Sequence, residues 1–209
     1  MSTNTTIAPL PEPPADRIAW IDAETTGLYA RSDWMLEIAV VVTDSALNEV
    51  ASFSEVLHVD LARTLDRMDE YVANMHAGSG LLGDLALATE ESSGPAVQQR
   101  IIEFLTRHGA LGAVAAGSNI PFDRGFLDVW MSDLNRNALH YRSIDVSTVK
   151  ELARRFAPDV FSTAPQKRLE HRALPDIRES ITELRHYTNA GLLTPTTSTD
   201  ALAAEEETN

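Results

Sequence analysis

The run Met35 to Thr43, MLEIAVVVT, is apolar almost throughout and is interrupted by Glu37. A strand without a polar alternate face has to be covered on both sides, so this segment calls for helices above and below a sheet. Upstream, Arg17-Ile18-Ala19-Trp20-Ile21 is apolar and β-prone, and Thr25-Thr26-Gly27 reads as the loop that ends it. Downstream, Asp44-Ser45 supplies turn chemistry before Val50 to Val59 extends again. These three segments form a meander.

Beyond the meander the periodicity changes. A helical region is expected from about Leu65 to Met75, and a second opens at Gly94-Pro95 and closes at Gly109. In the second, Val97, Ile101, Phe104 and Leu105 share one apolar face, with proline suited to the first turn and glycine to the position past the end. Ala113 to Ala116 is a short buried strand running into Gly117-Ser118-Asn119, followed by a helix marked by Phe122, Phe126, Leu127 and Trp130 that also carries Asp123. Tyr141 to Asp145 reads as a strand. Val146, Val149, Leu152, Ala153 and Phe156 mark the helix after it, and a last helix starts near Pro175 with Ile177, Ile181 and Leu184 as its core stripe. Three strands followed by alternating helices and strands make the class α/β, a mixed sheet flanked by helices.

A chain of 209 residues suffices for one such domain, here expected over 17–192. Residues 1–16, with four prolines among Ser, Thr and Asn, and the acidic segment 193–209 lack the apolar content to offset ordering entropy and are expected to be disordered tails. No apolar run approaches the roughly 20 residues that span a bilayer, and the polar start has no signal-peptide pattern, so no membrane association and a cytoplasmic location are expected. The absence of cysteine excludes thiolate chemistry, leaving oxygen and histidine as metal ligands. A formal net charge of −14 argues against long duplex nucleic acid as a ligand.

Against this background the stretch WIDAETTGL stands out. Asp22 and Glu24 are late residues of the first strand, and alternation puts both on one face with Ile21 and Ala23 on the other. Either the strand ends at Ile21 and both acids are solvated in a loop, or a divalent cation compensates two buried like charges. Asp123 and Asp176 are likewise open to two readings, since an acid near a helix start caps it or complements its dipole. His171 falls in the loop before the last helix, where a lone histidine is usually solvated.

Taken together, Asp22-x-Glu24, the Gly-x-Asn-x-x-x-Asp that ends at Asp123, and His171-x-x-x-x-Asp176 stand in the order of a known family. The chain resembles the DEDD 3′→5′ exonucleases of the histidine subclass. HYRSIDVSTVKELARRF and HRALPDIRESITELRHY, supported by MHAGSGL and VTDSALN, are similar within that subclass to the oligoribonucleases, from about Arg17 to Tyr187. The resemblance implies an RNase H-like exonuclease fold whose first strand is central. It implies that Asp22, Glu24, Asp123 and Asp176 hold two Mg²⁺ or Mn²⁺ ions, and that His171 is the general base for the water attacking the 3′-terminal phosphodiester. It further implies short RNA, especially dinucleotides, as substrate, cut to 5′-mononucleotides. Leu28 matches a wedge between the terminal bases, His76 a residue close to the substrate, and Arg142 and Ser147 residues at the 5′ phosphate. Tyr141 matches a tyrosine supplied by a second subunit, which implies a homodimer. For Leu28 a core position, and for Arg142 a plain strand-edge charge, remain open.

The match departs from the pattern at three places. Ser118 and Asn119 are transposed relative to the usual G-N-S, so Asn119 occupies the phosphate position; Tyr71 stands where tryptophan is common; and Pro175 replaces an acid. The Ser-Asn order is shared with the wider family, which keeps open an exonuclease acting on longer single-stranded DNA or RNA. A non-catalytic nucleotide-binding or scaffold protein that kept the fold is the remaining reading, although all five candidate catalytic residues are present.

Overall fold

The computed structural model describes residues 13–168 and 170–192. The five strands are β1 (Ile18–Thr25), β2 (Met35–Thr43), β3 (Glu49–Val56), β4 (Val114–Gly117) and β5 (His140–Asp145). They form one sheet in the order β3-β2-β1-β4-β5, which puts β1 at the centre. β1–β2 and β2–β3 are antiparallel, whereas β4 pairs parallel with β1, and β5 parallel with β4. The expected mixed sheet is therefore present, and every residue of β2 is buried.

Helices cover both faces: α1 (Leu61–Leu65), α2 (Glu70–Gly78), α3 (Leu81–Leu85), α4 (Gly94–Arg107), α5 (Ile120–Trp130), α6 (Val146–Phe156), α7 (Pro158–Ser162) and α8 (Ala173–Asn189). On one side Ala19, Ile21 and Ala23 of β1 pack with Val97, Ile101 and Phe104 of α4 and with Phe126 and Leu127 of α5. On the other, Trp20 packs with Ile177, Ile181 and Leu184 of α8. Odd residues of β1 thus face α4 and α5, and even residues face α8, so Asp22 and Glu24 point into the α8 layer. The end of α4 is as the sequence expects, with Gly109 at φ +66° and a closing bond from Ala110 N–H to the Leu105 carbonyl (2.8 Å).

Three expectations need correction. The helix expected over Leu65 to Met75 is broken: Asp60 caps α1 through Arg63 N–H (3.2 Å), and Asp69 starts a separate helix by accepting from Val72 N–H (2.8 Å). β3 ends at Val56 rather than Val59, because after Leu57 donates to the Leu36 carbonyl (2.7 Å), His58 donates instead to the Ser92 carbonyl (2.9 Å). α8 begins at Ala173, which leaves Pro175 inside the first turn, where its missing N–H has no intrahelical partner to lose. Residues 15–16 form a turn, with Arg17 N–H donating to the Pro14 carbonyl (3.4 Å). Residues 1–12 and the expected tail 193–209 lie outside the described residues. Among the described residues no helix is long and apolar enough to cross a membrane.

Candidate active site

The site forms where β1 outruns β4. β1 pairs with β4 only over Ile18 to Trp20, so the edge of β1 beyond Trp20 has no strand partner on that side. Gly117 ends β4 close under β1, where a Cβ atom would lie 2.8 Å from the Ile21 carbonyl oxygen, and only glycine allows that approach. The Ala23 N–H left over is taken by Asp123, whose Oδ1 accepts from it at 3.1 Å. Ligand sites in α/β sheets gather at such strand ends.

Asp22, Glu24 and Asp176 each offer a carboxylate oxygen, and these oxygens lie within 4.8 Å of one another. Glu24 and Asp123 are buried. The consequences for proton affinity are large. Burial, reinforced by Asp176, raises Asp22 to about 7; burial, reinforced by Asp22 and Asp176, raises Glu24 to about 8. Burial and then Glu179 raise Asp176 to about 6, and burial with the Asp22 charge holds Asp123 well above the ordinary range. Asp123 does not join the three at that distance, because it comes from the opposite helical layer and bonds to the strand backbone.

His171 sits in the loop before α8 with φ +51°, and lines an open cavity of about 590 Å³ together with Asn74, Met75, Ser79 and Arg168. His76 is fully buried beneath the strand end: its Nε2–H donates to the Thr25 carbonyl (2.9 Å), its Nδ1 lies 3.9 Å from Glu24, and burial lowers its proton affinity. Leu28 and Tyr71 are 75% and 72% exposed, so neither is a core residue. Asn119 precedes α5 at φ +62° and donates its backbone N–H to Asp145 (2.7 Å). Ser147 donates its hydroxyl to the same carboxylate (2.7 Å). Tyr141 and Arg142 lie on the edge strand β5, the guanidinium 5.4 Å from the tyrosine ring centroid. Both precede Ile144, which is level with Ala116 and Trp20, so within one chain they stand away from the carboxylates.

The exonuclease family RNase_T matches residues 19–184. The chain is 41% identical to the oligoribonuclease of Tropheryma whipplei (strain Twist) over 87% of this chain and 94% of that protein. An oligoribonuclease of Mycobacterium sp. (strain KMS) is 40% identical over 91% of this chain and 90% of the relative. The chain belongs to the oligoribonuclease family of exonucleases. It is a nuclease. The fold of this family member is also found in exonuclease I from Methylocaldum szegediense, with a TM-score of 0.61 at 20% identity, and in the E. coli exonuclease I complex with single-stranded DNA, with 0.63 at 14%. This chain spans 41% of each of those proteins.

For an oligoribonuclease-family nuclease, the acidic cluster points to divalent metal use. The donor set fits a hard cation, being all carboxylate oxygen. Asp176 Oδ1 is buried with no hydrogen-bond partner among the described residues, which leaves a lone pair for a ligand. Four residues beside the site, Arg172, Glu37, Lys167 and Asp145, escaped sequence reasoning. Arg172 pairs with Glu37, Lys167 donates to Ser180 (3.1 Å), and Asp145 gathers Asn119, Ser147 and Thr148. Of these, only Glu37 left a sequence signal, as the lone acid in an apolar strand.

Proposed function

We propose that this chain hydrolyses short RNA, dinucleotides above all, from the 3′ end to 5′-mononucleotides. In this reading Asp22, Glu24, Asp123 and Asp176 hold two divalent cations, Mg²⁺ or Mn²⁺, and His171 is the general base. The observation that carries it is the convergence of Asp22, Glu24 and Asp176 from opposite ends of a chain that matches the oligoribonucleases over most of its length. When bound, the cations supply charge neutralisation and polarise water and the scissile phosphate.

The chain's own groups do the rest. Asp22, Glu24 and Asp176 give up their protons to become ligands, and Asp123 completes the set while its Oδ1 accepts from the Ala23 N–H. His171, in a loop beside Asp176, takes the proton of the attacking water. Leu28, exposed next to the strand end, wedges between the two bases, Tyr71 offers a ring face, and His76 fixes the floor beneath them. Asn119 and Ser147, both tied to Asp145, line the approach of the 5′ phosphate with Arg142. In this reading Tyr141, exposed on the edge strand, serves the partner's site in a homodimer.

The test is the ratio of catalytic efficiencies on 5′-labelled RNA from two to about twenty nucleotides with Mn²⁺, at several salt concentrations. A net charge of −14 argues against a basic track for a long strand, and a track neutralising Z phosphates would show a salt slope near −0.7Z. The dinucleotide is expected to be fastest, with a shallow slope. A ratio near one would favour the wider-family reading to which Asn119 points, an exonuclease on longer single strands.

A further inference from the structure

Glu37 is the acid that interrupts the apolar strand β2, and it stands directly opposite Glu24 across the β1–β2 ladder. It nevertheless has no part in the carboxylate cluster, because its oxygens are already occupied. Oε1 accepts from Arg172 Nη2 (3.1 Å) and Ser54 Oγ (3.3 Å), and Oε2 accepts from Arg172 Nε (3.0 Å) and the backbone N–H of Ala173 (3.2 Å). Arg172 also reaches Asp84 (2.9 Å) and the Ser79 carbonyl (3.4 Å) through Nη1. The residue at the start of α8 provides no side-chain cap of its own, so the helix is capped from β2.

We infer that Glu37 and Arg172 are positioning residues, which hold segment 171–176 so that His171 and Asp176 meet Asp22 and Glu24. A planar guanidinium gripped at two points by a carboxylate fixes distance and angle together, unlike a single ion pair. The capped N–H of Ala173 adds a third point on the helix itself. On one side of this anchor is His171, a non-glycine residue held in the left-handed region, a conformation that persists only where neighbouring structure dictates it. On the other side, within the first turn, is Asp176. Glu24 and Glu37 therefore divide one ladder rung between two tasks, the first holding a ligand position and the second orienting the segment that supplies the others. The inference rests on the roles proposed above for His171 and Asp176.

Glu37→Gln in the full chain tests it. The amide keeps the shape and one acceptor oxygen but loses the two-point grip. Hydrogen exchange over 170–177 is expected to speed up by about tenfold or more while the sheet stays protected. On a dinucleotide RNA, kcat is expected to fall about tenfold or more with KM changed less than about threefold. Arg172→Lys, which keeps the charge and a single contact, is expected to fall between this variant and wild type; it carries the same readings if Glu37→Gln does not fold. Wild-type exchange and kcat would overturn the inference, as would a uniform loss of protection in which the folded fraction keeps wild-type kcat. Full activity in His171→Ala would remove the general-base reading alone, since the exchange measurement still decides the anchor.

Discussion

In the proposed reading His171 is the proton acceptor, a task that needs a ring held near the reaction and open to substrate. It lies in the loop just before the helix that carries Asp176, and it lines an open cavity rather than the core. His76 is the contrast: it is fully buried, its Nε2–H is committed to Thr25, and it has no route to a substrate proton. Replacing His171 by Ala is expected to lower kcat by roughly 10²–10⁴-fold, the range for a lost general base, with little change in KM. Steady-state kinetics on an RNA dinucleotide at pH 7 and pH 8 check this, and a wild-type kcat at both would reassign the base.

At the level of elements, the site exists because two parallel strands end at different heights. β4 stops at Gly117 while β1 continues to Thr25, and α5 then enters over the gap with Asp123 in its first turn. Gly117 is the pivot of this arrangement. A methyl group there meets the Ile21 carbonyl oxygen at 2.8 Å and Ile120 Cδ1 at 3.2 Å, so Gly117→Ala forces β4 and the start of α5 away from β1. The expected cost is about 1–3 kcal/mol of stability, the usual range for overpacking a core. Denaturant unfolding reads the stability, and loss of activity beyond the unfolded fraction reads displacement of Asp123. The glycine was legible in the sequence as part of a loop; that it lies against the Ile21 carbonyl was not, because the contact joins segments about a hundred residues apart.

For the molecule as a whole, concentrating carboxylates makes the metal-free fold sensitive to pH. Asp22, Glu24 and Asp176 have native proton affinities raised to about 7, 8 and 6, from ordinary values of 3.8, 4.5 and 3.8. Across that interval the native state binds more protons than the unfolded chain, so stability falls as pH rises. The stabilisation from these protons is complete below about pH 4 and is lost by about pH 8. With chelator present, the melting temperature is expected to be lower at pH 8 than at pH 5.5. Added Mn²⁺ is expected to recover it at pH 8 and to release protons near pH 6.5. Calorimetry in two buffers of different ionisation enthalpy checks the proton release. A pH-independent melting temperature without metal would contradict the electrostatic picture.

The sequence by itself determined the class of fold and the family, while the full strand order β3-β2-β1-β4-β5 came from the tertiary structure. Apolar period and turn chemistry are local, and they marked β1, β2, α4 and α8 within a few residues. The spaced acids and His171 were readable as a set because a family keeps their order. What only the tertiary structure decided is how these residues divide their work. Asp22, Glu24 and Asp176 meet directly, while Asp123 bonds to the Ala23 backbone from the other layer. Glu37, on the same face as Glu24, is taken up by Arg172 and the start of α8. Tyr141 and Arg142 fall on an edge strand away from their own carboxylates. The reason is physical: a carboxylate's role depends on which donors reach it, and here those donors come from segments up to 136 residues away along the chain.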